Sequence, residues 1–216
     1  IHLVANGVDP AMFDVKDNSE DFRKKHDLTS KFVVMYAGAH GISNDLEMLL
    51  SAARQTREDT RIVYAMVGDG KEKDNLQRLA EEWELTNVRF LPPYPKSEMS
   101  GVLAAADACL AILKPLEMYK TTYPNKVFDY MAAGKPVLCA IDGVIRQVVE
   151  DARAGEFIQP GNAAALANTV QTWAGDAEHC AQMGKNGREY VGVHFNRQVL
   201  ANQMEALLIN LAHPKA

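Results

Sequence analysis

The chain has 216 residues, enough for one large domain or two small ones and for a sizeable buried core. Its 47% hydrophobic and 24% charged residues are ordinary globular values and argue against disorder, and a net charge of −5 makes nucleic acid a poor partner. Three scattered cysteines, Cys109, Cys139 and Cys180, form no C-x-x-C pair, which argues against a zinc ribbon or disulfide scaffold and suits a reducing compartment.

The chain opens on Ile1, and Ile1 to Pro10 read like the interior of a longer protein, so a fragment is expected. Phe32 to Ala37 is continuous and β-rich, as a strand buried on both faces should be. It ends at Gly38-Ala39-His40-Gly41. A helix is predicted next from Leu46, Leu49, Leu50 and Ala53, with Asn44 and Glu47 at capping-box spacing. Ile62 to Val67 is a second buried strand closed by Gly68-Asp69-Gly70, and Leu76, Leu79, Ala80 and Trp83 mark the helix after it. Val88 to Leu91 is a third strand, stopped by Pro92-Pro93, and Pro95 opens a helix running into Ala104. The apolar stretch Val102 to Leu113 is broken by Asp107 and too short to cross a bilayer; no signal peptide is evident. Further strands are predicted at Ala108 to Leu113, Pro136 to Ala140 and Glu156 to Ile158. Three helices close the chain: one with Leu166, Val170 and Trp173, one over residues 176–193, and one with Leu200, Met204, Leu207 and Leu211.

Strands separated by helices imply βαβ units with right-handed crossovers. The fold class is therefore α/β: a doubly wound, mainly parallel Rossmann-like sheet of about six strands with helices on both faces. Such sheets bind ligands beyond the carboxyl ends of their strands. That directs attention to loops 38–45, 68–71, 91–96, 113–125 and 140–145.

In the first of these, Gly38 and Gly41 let the backbone turn sharply and approach a ligand, and the amides of the following helix suit a phosphate. The spacing is no dinucleotide fingerprint, because His40 and Ser43 stand where G-x-G-x-x-G needs glycines. The plainer alternative is that these glycines only turn the chain and that His40 is an ordinary loop residue. Asp69 is expected to cap the helix after it.

The stretch Thr121 to Val137 is the most informative. Pro124 suits the first helical position and Gly134 the position just past the end, so a helix of about three turns feeds the fifth strand. Tyr123 would then be the N-cap, a poor one, leaving the amides of Asn125, Lys126 and Val127 for an anion. Lys126 would add a full charge beside them, and Asp129, one turn on from Asn125, could accept hydrogen bonds from a ribose diol. The alternative is that Thr121 or Thr122 caps the helix while Lys126 and Asp129 are solvated surface charges.

These residues match a known family. Asp129-Tyr-Met-Ala-Ala-Gly-Lys-Pro-Val137 resembles the E-A-M-A-x-G-x-P-V segment of retaining glycosyltransferases with the two-domain GT-B fold, the large family 4 group. Asn6-Gly7-Val8-Asp9 with Phe13, Tyr36-Ala37-Gly38, Val67-Gly68-Asp69-Gly70, Asn87 to Pro92, Ala106-Asp107-Ala108, Gly155, Pro160-Gly161 and Met183 to Arg188 follow in the family's order. Pro124-Asn125-Lys126 looks most like the bacterial branch that transfers amino sugars during surface-polysaccharide assembly.

The resemblance implies one half of a GT-B enzyme. Residues 1–15 would be the hinge from an N-terminal acceptor domain, 16–195 the nucleotide-sugar donor-binding domain, and 196–216 a C-terminal helix. It implies a UDP-linked sugar, retention of anomeric configuration, no metal, no cofactor and a cytoplasmic enzyme, peripheral at the inner membrane face with a lipid-linked acceptor. This half alone would be inactive. The resemblance makes Lys126 the catalytic cation and Gly38, His40, Gly41, Pro124, Asn125 and Asp129 donor-binding residues. Two positions depart from the family. The first acid of its E-x7-E motif falls on Thr121, so Glu117 would take over the sugar contact. The usual Arg and Lys of the first glycine loop are replaced by Ala39 and Asn44, so His40, Lys126 and Lys114 would grip the diphosphate. Protonation of His40 would then raise donor affinity at lower pH. Competing readings are a UDP-sugar 2-epimerase of the same architecture, a non-catalytic nucleotide-binding domain and, least favoured, an NAD-binding domain.

Overall fold

A strand such as Phe32–Ala37 has almost nothing polar to turn to water, so both of its faces must be covered. The computed structural model, which describes residues 4–14 and 19–212, covers them with helices on each side of a single sheet. The strands are β1 (Phe32–Ala37), β2 (Ile62–Val67), β3 (Val88–Leu91), β4 (Ala108–Ile112), β5 (Val137–Ala140) and β6 (Gly155–Phe157). The helices are α1 (Ser19–Lys25), α2 (Leu46–Gln55), α3 (Lys73–Glu82), α4 (Met99–Ala104), α5 (Asn125–Ala132), α6 (Val144–Asp151), α7 (Ala163–Trp173), α8 (Ala177–His194) and α9 (Arg197–Ala212).

All strand pairs are parallel, in the order β3-β2-β1-β4-β5-β6. Successive side chains alternate between faces. Val33, Met35 and Ala37 therefore join Val127, Phe128, Met131, Ile145 and Val191 in one core, while Val34 and Tyr36 join Leu49, Leu50, Leu76, Leu166 and Trp173 in the other. Cys109 and Cys139 are buried core thiols, each pushed up to about 12 by burial. Trp173 is buried and donates its indole N–H to Glu156 at 2.8 Å.

The strand order reverses between β1 and β4. Their pairing stops at Met35 with Cys109, so the two strands part before β1 ends. This parting is the crevice in which a doubly wound sheet receives ligands.

Helices α1 and α6 were not predicted. Ser19–Lys25 carries a single aromatic among charges, and eight-residue α6 begins inside the predicted loop 140–145. Pro95 leads into a 3₁₀ turn, Lys96–Glu98, before α4 begins at Met99. Of the predicted 1–15 hinge, residues 1–3 and 15 lie outside the described residues, as do 213–216 of the predicted last helix. In the described part, Val8 donates to Phe195 at 2.9 Å and accepts from Arg197 at 2.8 Å, tying this segment to the α8–α9 junction. No helix among the described residues is long and apolar enough to cross a membrane.

Candidate functional site

Helix α5 begins one residue later than predicted. Pro124, at φ −65° and ψ 122°, is the N-cap, with no side chain to offer, and Asn125 is the first helical residue. Thr121 and Thr122 donate to Met118 and Tyr119 carbonyls and cap nothing. Val127 is satisfied by the Pro124 carbonyl at 3.1 Å, which leaves the amides of Asn125 and Lys126 without an acceptor among the described residues. The first turn of α2 offers less than its sequence promised. Leu46 and Met48 bond back to Asn44 and Asp45, and the N-cap is Asp45, an acid. The Asn44–Glu47 capping box does not form, and Asp69 bonds its neighbour Gly70 rather than capping α3.

Asn44 instead joins Lys126. The Lys126 ammonium reaches across the crevice, donating to the Tyr36 hydroxyl at 3.0 Å and to Asn44 Oδ1 at 3.4 Å. It lies 4.3 Å from the centre of the Tyr36 ring and so close to Gly38 that a Cβ there would stand 3.0 Å from Nζ. Tyr36 and Asn44 both donate to the Ala39 carbonyl, at 2.6 and 3.0 Å, which holds the loop over the crevice. Burial lowers the Lys126 pKa to about 8, and no carboxylate among the described residues pairs with the ammonium. Lys126 is therefore not a solvated surface charge.

Tyr130, one turn further along the helix, sets the end of β1. Residue Ala37 lies beyond the last β4 pairing, so its N–H and C=O face the opened side of the strand. The buried Tyr130 hydroxyl accepts from the one at 3.0 Å and donates to the other at 3.1 Å.

The first two glycine loops interlock. The His40 N–H donates to Asp69 O at 2.8 Å, and the His40 carbonyl accepts from Glu72 at 2.9 Å. At Gly68, φ is +144° and a Cβ would stand 2.0 Å from Gly38 O, so only glycine fits. The His40 ring is fully buried between Tyr36 and Phe90, and neither of its nitrogens has a hydrogen-bond partner among the described residues. Burial, reinforced by Lys73 and Lys126 against an opposing Asp69, lowers its pKa to about 4. With its pKa at about 4, His40 is neutral near pH 7, and a gain of donor affinity from its protonation would come only toward that lower value.

A cavity of about 370 Å³ opens beside these loops over the ends of β1, β2 and β3, lined by Gly38, Ala39, Gly68, Asp69, Tyr94 and Met99. Gly41 sits in the turn before α2 and accepts from Asn44. The Asp129 side chain is half-buried, its pKa is raised by burial against the pull of Lys96 and Arg197, and its carboxylate accepts no hydrogen bond among the described residues. Lys114, whose N–H donates to Ser43 O at 3.0 Å, and Glu117 line a second cavity, and Glu117 is paired with Lys120 at 2.7 Å.

The structure thus gathers Gly38, Pro124, Asn125 and Lys126 at one point, with His40 as a buried support. Tyr36, Asn44, Tyr94 and Tyr130 complete the arrangement and were not foreseen as site residues. A tyrosine at the last turn of a buried strand, directly before a glycine loop, was the available signal for Tyr36. Chemically, the crevice offers, among the described residues, the unpaired Lys126 ammonium and the free amides of Asn125 and Lys126, the elements of an anion site. The family described as glycosyl transferases group 1 matches residues 18–190. The chain belongs to this family.

Among relatives of this glycosyl transferase chain, "Putative colanic acid biosynthesis glycosyltransferase WcaL" of Escherichia coli is 28% identical over 76% of the chain and 41% of its own length. "Probable glycosyltransferase WbjE" of Pseudomonas aeruginosa is 28% identical over 65% of the chain and 35% of its own. The chain thus spans well under half of either relative. In fold, a crystal structure of Anabaena Alr3699/HepE in complex with UDP superposes with a TM-score of 0.84 at 21% identity, over 94% of this chain and 56% of that one. The C-terminal domain of the Francisella tularensis group 1 glycosyl transferase LpcC superposes at 0.75, with 16% identity, over 89% of this chain and all of that one. The six-stranded parallel sheet with helices on both faces is the architecture of these GT-B-like glycosyltransferases.

Proposed function

We propose that this domain holds the donor of a sugar transferase, a UDP-linked sugar whose diphosphate lies in the crevice between β1 and the start of α5. The observation that carries this reading is the Lys126 ammonium, unpaired, poised on Gly38 beside two free helix amides. The base and ribose occupy the cavity over β1, β2 and β3, a reading supported by the UDP complex of the structural neighbour.

In transfer, the bond from the anomeric carbon to the β-phosphate oxygen breaks and negative charge grows on the departing diphosphate. Lys126 and the amides of Asn125 and Lys126 meet that charge, where a preorganised donor is worth about 3–4 kcal/mol of barrier. With this cation in place, transfer proceeds without a metal. The whole protein, longer than this chain as its relatives are, transfers an N-acetylated amino sugar with retention onto a lipid-linked acceptor in bacterial surface-polysaccharide assembly. It works as a cytoplasmic enzyme at the inner membrane face, a location supported by three buried free thiols. Anomeric analysis of the product by NMR and fractionation of cells test these points.

Binding is tested on this chain by thermal shift. UDP at a hundred times its Kd should add about 2.7 kcal/mol and raise Tm by roughly 5–10 °C, with or without EDTA. GDP and ADP should fall short. A shift with GDP or ADP but not UDP overturns the donor assignment, and dependence on EDTA overturns the metal-free reading.

The pH dependence follows from Lys126. Charged below its pKa of about 8, it loses its proton above that value, so affinity for a diphosphate falls as pH rises. A UDP-sugar, which lacks the ionisation of a terminal phosphate near pH 6, isolates this effect. Its affinity should be flat from pH 5.5 to 7.5 and fall by up to about tenfold per unit above 8, with proton uptake on binding. Calorimetry in two buffers of different ionisation enthalpy measures both. Affinity that rises above pH 8 contradicts the assignment.

A further inference from the structure

Helix α1 is anchored to the sheet through one side chain. Arg23 donates to Asp107 Oδ2 at 2.7 Å and to Lys31 O at 3.0 Å, and the same Asp107 oxygen accepts the Val33 N–H near the start of β1. The helix then stops sharply. Asp27 takes φ +55°, the left-handed conformation that ends helices, and the N–H of buried Leu28 turns back to Arg23 O at 2.8 Å. Fixed at both points, α1 presents Phe22 and His26 together. They stand one turn apart, with ring centres separated by 4.5 Å.

Both rings meet Tyr94. His26 Nε2 lies 2.9 Å from the Tyr94 hydroxyl, and the Phe22 ring centre lies 5.6 Å from that of Tyr94. Burial, reinforced by Lys25 and opposed by Asp27, holds the His26 pKa below its ordinary value, so the imidazole is neutral near pH 7 and can donate or accept at Nε2. Tyr94 itself stands in Pro92-Pro93-Tyr94-Pro95, where the prolines fix φ and offer no N–H. With the backbone this stiff, the place of the Tyr94 ring is set by its rotamer and by what holds its hydroxyl. The ring is half-buried and lines the cavity over β1, β2 and β3 with Gly38, Gly68, Pro93 and Met99. Among the described residues it is the aromatic ring of that lining, and neither Phe22 nor His26 reaches the cavity. A nucleobase is flat and gains most from an aromatic face.

We infer that His26 is a positioning residue for the donor: from α1 it holds the Tyr94 ring in the cavity wall as the platform for the nucleotide base, without touching the ligand itself. The inference rests on the reading of this cavity as the seat of the donor's base and deepens it, by tying base recognition to a helix that lies outside the cavity.

Titration calorimetry of the chain with UDP and with inorganic pyrophosphate tests this, because pyrophosphate needs only the crevice at Lys126. Tyr94→Ala should weaken UDP about tenfold, the loss of one stacked base, and leave pyrophosphate unchanged. His26→Ala should weaken UDP about threefold, again with pyrophosphate unchanged. His26→Gln, whose side-chain amide can bond the hydroxyl, should return UDP to the parent value, a rescue that a merely structural loss would not show. Tyr94→Phe should match His26→Ala, and the double variant should be no weaker than either. In the UDP complex the Tyr94 ring protons should show nuclear Overhauser contacts to the uracil ring protons. UDP affinity unmoved by Tyr94→Ala, or a fall in UDP and pyrophosphate alike, overturns the platform. A His26→Ala protein that binds UDP as the parent does overturns the positioning role. Both failures leave the donor reading standing, since the parent still binds UDP. A parent that binds pyrophosphate and UDP equally well overturns the platform and keeps the anion site, whereas a parent that binds neither overturns the donor reading and this inference with it.

Discussion

Replacing Lys126 by methionine should abolish the UDP-induced rise in Tm while leaving the nucleotide-free protein at least as stable as before. The two halves of this expectation have one cause. Burial beside Tyr36 and Gly38 holds the Lys126 pKa at about 8, so the folded protein keeps a charge there at a cost that no carboxylate among the described residues offsets. Methionine fills similar space without that cost, and Tyr36 keeps its bond to Ala39. The diphosphate, by contrast, loses the full counter-charge that Lys126 supplies. Removing such a donor from a developing oxyanion costs about 2.7–4 kcal/mol, or roughly 10²–10³ in rate. The whole transferase should lose that factor in kcat, and the isolated chain should lose a comparable factor in UDP affinity. A Lys126→Met protein that melts well below the parent would show that the ammonium holds the fold together. One that still binds UDP normally would remove Lys126 from the site. The same shift also shapes stability. Between pH 8 and 10.5 the unfolded chain holds the Lys126 proton more tightly than the folded one, so this group makes stability rise with pH across that window.

Tyr130→Phe should produce the largest loss of stability from a single oxygen atom. Its hydroxyl is buried and serves both backbone groups of Ala37, which β4 no longer reaches. Without it, a buried donor and a buried acceptor are left unmatched, each at about 1–3 kcal/mol. A total of roughly 2–4 kcal/mol corresponds to a fall in Tm of roughly 5–15 °C for a domain of this size. Because Ala37 leads directly into Gly38, UDP affinity should fall several-fold as well. Differential scanning calorimetry with and without UDP reads both effects, and a Tm within 1 °C of the parent, on the order of measurement error, would refute the role of this contact.

Much of the fold was legible from periodicity. Runs such as Ile62 to Val67 admit only a strand covered on both faces, and helices at regular intervals admit only parallel crossovers, so the sheet and most of its helices follow from local pattern. The ordered motifs ending at Asp129 to Val137 also carried the family, because the glycine and proline positions of a strand–helix corner are set by backbone geometry within a few residues. Short α1 and α6 escaped because eight residues or fewer span too few turns to display a helical period.

The site was legible only in part. Gly38 stands in a loop, and Pro124, Asn125 and Lys126 at a helix start, whose local chemistry advertises an anion. Local sequence could not show that Lys126 reaches back to Tyr36, 90 positions earlier, or that Tyr130 closes the end of β1. Nor could it show that His40 turns inward and loses its basicity, or that Lys114 and Glu117 line a cavity of their own. Those facts depend on which strands become neighbours and where they part. The sequence by itself determined the elements and the family, since backbone propensity and apolar period act over a few residues. The tertiary structure alone decided which charges are buried together, because burial and pairing depend on residues brought close from distant parts of the chain.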